Sequence, residues 1–124
     1  MYRICAKYHY VIFSDLLFSF LSLSLCHFPP NKQVLHGTHN VTLDSNTAYD
    51  TFGHCYFLED GAEEDNVMRY NLGALTKAQP QEDMISQDET DDEPATFWLT
   101  NPVNTWEGNV AAGSERSGFW FESE

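Results

Sequence analysis

A chain of 124 residues with a formal net charge of −13 has room for one domain and a modest core. Only six residues are Lys or Arg, and Val34 to Glu124 sets eighteen acids against Arg69, Lys77 and Arg116, a net −15. Such a surface repels a nucleic-acid backbone or an anionic membrane and releases no counterions, so neither is an expected partner; cation binding or plain solubility is compatible with it.

Residues 1–33 differ in composition from the rest. Arg3 and Lys7 precede an apolar run, Val11 to Phe28, the layout of a signal peptide or signal anchor. Asp15 lies inside that run, no small-x-small cleavage site follows, and 18 residues is short for a span. A second reading is a translated pyrimidine tract ahead of a splice acceptor, because Leu16 to Leu25 is LLFSFLSLSL. A third is a helix of the fold. The expected boundary falls at Pro29-Pro30, with 1–33 as an unrelated apolar leader and 34–124 as the folded unit.

Asn40-Val41-Thr42 is an N-glycosylation sequon if the chain is secreted. Downstream of it an internal repeat emerges. Asn46 precedes Tyr56-Phe57-Leu58-Glu59 by ten residues, and Asn109 precedes Phe119-Trp120-Phe121-Glu122 by ten. A second spacing, N-x4-N before an apolar residue, occurs at Asn66/Asn71 and at Asn104/Asn109. Phe97 to Phe119 is 22 residues; Tyr56 to Phe97 is 41, with an acid-rich insertion at about 77–94. A unit of about 22 residues with short β-rich segments and Asn or Gly corners suits one turn of a parallel β-helix, and about four turns are expected. Asn and Gly tolerate left-handed backbone angles, and Asn46, Asn66, Asn71, Asn104 and Asn109 can stack as corner ladders. A β-sandwich is the alternative all-β fold.

Cys55 is the only cysteine after residue 33, so that part has no internal disulfide. No CxxC, HExxH or zinc-type Cys/His spacing is present, and no metal ligand or cofactor is expected beyond calcium at the acidic insertion. There, Asp88-Glu89-x-Asp91-Asp92-Glu93 lacks the Gly and the order of an EF-hand, so the plainer reading is a solvated loop. Acid–base work on a polysaccharide would need paired carboxylates, and Glu59 and Asp60, with His54 near, are the candidates. Neighbours on a strand face opposite ways, so the two converge only if a turn begins here; otherwise Asp60-Gly61 is simply a corner. In FWL (97–99) and FWF (119–121) the outer residues are expected to face inward and Trp98 and Trp120 outward, stacked in neighbouring turns. That pair is a sugar-stacking platform if open, and otherwise is covered by the insertion or by missing domains, or lies in the core.

GHCYFLEDG (53–61), NLGALTK (71–77), TFWLTNP (96–102) and AAGSERSGFWF (111–121) resemble the β-helix region of the cell-migration-inducing hyaluronan-binding proteins, cell-surface hyaluronidases and fibrocystins, above all fibrocystin-L. The resemblance covers about 34–124. It implies an extracellular or cell-surface right-handed parallel β-helix inside a larger protein, often accompanied by a G8 domain. One branch implies hyaluronan binding or depolymerisation, the other a receptor-like protein without known catalysis. No catalytic residue of the hyaluronidase branch maps onto this chain, and the short acidic insertion stands where that branch carries a Cys-rich one. The resulting expectation is a structural module, with a glycan or an extracellular protein as partner. Its alternatives are a piece of a hyaluronan-degrading glycosidase and a calcium-dependent adhesion module.

Overall fold

The computed structural model describes residues 3–6, 9–12, 19–21, 32–84 and 90–122, with side chains from Val34 onward. The fold is all-β, with strands wound into repeating coils. The first complete coil is β4 (Lys32–Leu35), β5 (Val41–Asp44) and β6 (Thr47–Phe52). The second is β7 (Tyr56–Leu58), β8 (Val67–Arg69) and β9 (Leu72–Lys77). The third is β10 (Ala95–Leu99), β11 (Thr105–Glu107) and β12 (Val110–Ser114), and β13 (Ser117–Phe121) opens another. Each strand pairs in parallel with its counterpart one coil away, which builds three walls. Sheet A contains β4-β7-β10-β13, sheet B contains β5-β8-β11 and sheet C is β6-β9-β12.

Register follows the spacings of the sequence. Phe97 pairs with Phe119 and Trp98 with Trp120 across 22 residues, and Phe97 pairs with Tyr56 across 41. The insertion leaves at the corner between sheets C and A and returns without shifting the ladder.

Three inward columns form the core. Sheet A supplies Tyr56 and Phe97, stacked with centroids 4.7 Å apart and planes 6° off parallel, and Phe119 continues the stack at 4.8 Å and 8°. Sheet B supplies Leu43, Met68 and Trp106, and sheet C the small residues Ala48, Gly73 and Ala111. The small column makes room for the large one. A Cβ on Gly73 would lie 2.3 Å from Thr96 Cγ2 and 3.3 Å from Cys55 Sγ. The Tyr56 hydroxyl crosses the interior and donates toward the carbonyls of Asn46 (3.3 Å) and Leu72 (3.2 Å). Burial pushes both the Tyr56 phenol and the Cys55 thiol up, the latter to about 12.

Two lines of Asn close the corners. Asn46, Asn71 and Asn109 stand one per coil just before sheet C; Asn46 Nδ2 donates to Asn71 Oδ1 and Asn71 Nδ2 to Asn109 Oδ1, each at 3.0 Å. Those oxygens also accept the backbone N–H of Asn46 and of Asn71. Asn66 and Asn104 stand before sheet B; Asn104 Oδ1 accepts from Asn66 N (3.0 Å), and Asn66 Oδ1 from Val41 N (2.9 Å). The ladders therefore satisfy buried backbone groups that the corner leaves without strand partners. Ser45, Tyr70 and Gly108, each just ahead of a ladder Asn, are all left-handed, with φ of 57°, 54° and 60°.

The separation of residues 1–33 is not confirmed. β2 (His9–Ile12) pairs in parallel with β4 and β3 (Ser19–Leu21) with β5, so both sheets extend past the expected boundary. β1 (Arg3–Ala6) pairs antiparallel with β2. Backbone ladders form between strands whatever their composition, and composition was the basis of that boundary. Residues 13–18 and 22–31, the greater part of the apolar run, lie outside the described residues. The count of about four turns is likewise not confirmed: three complete coils are described, with β1, β2 and β3 before them and β13 after. Among the described residues no helix is long and apolar enough to cross a membrane.

Candidate functional site

Two surface features carry chemistry, one on the outer face of sheet A and one at the corner between sheets A and B. On the outer face, Val34, Phe57, Trp98 and Trp120 occupy one register position in successive coils. Trp98 and Trp120 stack at 5.7 Å with planes 24° apart. Their environments differ: Trp98 is 8% exposed and Trp120 is 42% exposed. The His54 ring lies 4.2 Å from that of Trp98, and Phe57 meets Trp98 edge-on at 6.3 Å. Trp98 is thus outward in register yet buried, and Trp120 stacks on it from the last described strand.

His54 itself anchors the insertion. Ala95 N donates to its Nδ1 (3.1 Å), which leaves Nε2 to carry the proton and donate to Thr90 Oγ1 (2.9 Å). Asp91 Oδ1 accepts from His54 N at 3.0 Å. Glu93 pairs with Arg116, and Ala78 N donates to Glu115 Oε2, so both ends of the loop are pinned to the coils. A short 3₁₀ turn, Gln81–Asp83, is its only regular element among the described residues. Asp88 and Glu89 of the expected calcium loop lie outside them. The described part gives Asp91 and Glu93 structural partners rather than a shared centre.

At the A–B corner, Glu59 and Asp60 do converge, because β7 ends at Leu58 and Gly61 turns the chain with φ of 72°. They converge on His36 and not on His54. His36 Nδ1 is 3.2 Å from Glu59 Oε2 and 3.0 Å from Asp60 Oδ2. Glu63 lies beneath them, fully buried; its Oε1 accepts from Gly37 N (2.9 Å) and Asp60 N (3.3 Å). Sequence reasoning missed His36 and Glu63. The available signal was the period itself: Leu35 pairs with Leu58, so His36 and Glu59 leave their strands at the same level.

Asn40 of the sequon sits at this same corner, exposed, with φ of 58°. The cationic side chains described after residue 33 are all engaged: Arg69 with Asp44, Lys77 with Asp50 and Arg116 with Glu93.

A family model described as CEMIP beta-helix matches residues 22–124. Fibrocystin-L of Mus musculus is 36% identical over 115 residues, covering 91% of this chain and 3% of that protein. Cell surface hyaluronidase CEMIP2 of Homo sapiens is 35% identical over 118 residues, covering 80% of this chain and 8% of its own length. Communication mutant protein F of Dictyostelium discoideum is 44% identical over 92 residues, covering 64% of this chain and 8% of that protein. The chain therefore spans less than a tenth of these relatives. No solved structure matches it.

Proposed function

The chain belongs to the CEMIP β-helix family, and from that premise we propose that it serves as an extracellular, right-handed β-helix segment of a larger protein that binds neutral glycan by stacking on Trp120. The observation that carries this reading is the Trp98–Trp120 stack, which stands outward in register on sheet A with ring centroids 5.7 Å apart. An aromatic ring fixed by a second ring behind it loses little freedom when the apolar face of a pyranose settles on it. The charge balance sets the class of sugar. With Arg69, Lys77 and Arg116 each spoken for and a net −15 from residue 34 on, a polyanion such as hyaluronan meets repulsion.

A second reading, part of a hyaluronan-degrading glycosidase, draws on the convergence of Glu59 and Asp60 at His36 and on the printed name of CEMIP2. The two readings separate in one titration of the chain against hyaluronan and a panel of neutral oligosaccharides, at low and moderate salt. The expected result is binding to a neutral glycan that changes little with salt, falls at least tenfold in Trp120→Ala, and comes without hyaluronan cleavage. Tight hyaluronan binding that weakens as salt rises, or depolymerisation lost in Asp60→Asn, would replace the first reading with the second.

A further inference from the structure

Glu63 is 0% exposed, and of its two oxygens only Oε1 is hydrogen-bonded; Oε2 is buried with no partner. Buried carboxylates are ordinarily paired with a cation, fully hydrogen-bonded, or bound to a metal. No ammonium or guanidinium fills that role among the described side chains, since Arg69, Lys77 and Arg116 pair with Asp44, Asp50 and Glu93. What does face Glu63 is a histidine and another acid. One donor atom from each of His36, Asp60 and Glu63 lies within 4.8 Å of the others.

We infer that His36, Asp60 and Glu63 form a binding site for a divalent transition-metal ion of the zinc class, which clips one coil of the solenoid to the next. The donor set selects the ion. An imidazole nitrogen beside carboxylate oxygens suits zinc and its first-row neighbours, whereas calcium takes six to eight oxygens and no nitrogen. Tetrahedral zinc with bonds of about 2.1 Å separates its ligands by roughly 3.4 Å, so the His36–Asp60 pair, at 3.0 Å, opens slightly and any wider pair, all within 4.8 Å, draws in. The side chains of His36 and Asp60, 40% and 42% exposed, have the freedom to make that movement, while the buried Glu63 is the fixed point. Glu59, whose Oε2 already lies 3.2 Å from His36 Nδ1, stands ready as a fourth ligand, and solvent reaches the site from the same side. His36 comes from the corner after β4 and the acids from the corner after β7, so the ion joins two adjacent coils. The equivalent corner of the third coil carries Thr100, Asn101, Pro102 and Val103, none of them an acid or a histidine, so the site occurs once among the described corners.

The test is calorimetric titration of the chelator-treated 124-residue chain with Zn2+ and, separately, Ca2+, together with thermal melts in each ion. The expected result is one Zn2+ per chain, a higher Tm with Zn2+ and none of either effect with Ca2+. His36→Ala, a surface change that far-UV circular dichroism should show to be folded, lowers the Zn2+ affinity at least tenfold. His39→Ala leaves it unchanged, because His39 Nδ1 is occupied by Glu64 N at 3.1 Å. No Zn2+ binding, binding indifferent to His36→Ala, or Ca2+ bound as tightly as Zn2+ would each overturn the assignment. None of these outcomes bears on Trp120, which lies on the outer face of sheet A.

Discussion

The corner between sheets B and C and the corner between sheets A and B are built from the same elements and differ in what they repeat. The first carries Asn46, Asn71 and Asn109 in unbroken succession, each preceded by a left-handed residue. The second keeps a ladder Asn only at its end, Asn66 and Asn104, and ahead of it changes with every coil: 36–40 holds His36, His39 and the sequon Asn40, 59–65 holds Glu59, Asp60 and Glu63, and 100–103 holds Asn101 and Pro102. Repetition marks the residues that close the backbone's hydrogen bonds, since every coil has that same need. Departure from repetition marks positions released from it, and there the chemistry collects.

The largest expected effect tests the structural half of this contrast. Asn71 Oδ1 accepts from Asn46 N and Nδ2, and its Nδ2 donates to Leu43 O and Asn109 Oδ1. Asn71→Ala strands several buried groups and should cost about 3 kcal/mol in urea unfolding, whereas Asn101→Ala, at the changing corner and partly exposed, should cost about 1 kcal/mol. Equal losses would erase the distinction between the corners. Next in size is Gly73→Ala. Its methyl would meet Thr96 in the column that lets sheet C approach sheet A, and overpacking of this kind costs about 2 kcal/mol. A neutral outcome would mean that the small column is not what sets the spacing of the walls.

The smallest effect lies beside the repeated corner. The Ser45 hydroxyl, and after it Arg69, hold the exposed Asp44 carboxyl below its ordinary range. A lowered carboxyl contributes stability that is present above its unfolded pKa and lost as pH falls through the folded one. The Tm of the chain should therefore drop slightly more between neutral pH and pH 3 than that of Asp44→Asn. Parallel curves would show that the Asp44–Arg69 contact between coils adds nothing.

Much of the repeated architecture was legible in the spacing. N-x4-N marks both ladders, and the 22- and 41-residue intervals are the registers of sheet A. Alternation along a strand places Phe97 inside and Trp98 outside, but it is silent on what lies over the outer face. Only the folded chain brings His54 onto Trp98. His36 and Glu63 were hidden for a related reason: they sit in loops, where no period of two assigns a face, and they meet through the offset of one coil. Tyr70 and Leu75 take left-handed angles of 54° and 58° that their side chains disfavour, so propensity gave no hint of them. The line that composition drew at residue 33 is not confirmed, since β2 and β3 pair with β4 and β5 across it.

The ladder Asn are 25 residues apart in sequence between the first two coils and 38 between the second and third, because the insertion lies in the longer interval. Each coil bonds only to its neighbours, so a pull on the chain ends peels coils singly and each release lengthens the tether by one interval. At about 3.5 Å per residue these steps are roughly 90 Å and roughly 130 Å. A force–extension trace would carry two unequal increments, and their order would tell from which end the solenoid unravels.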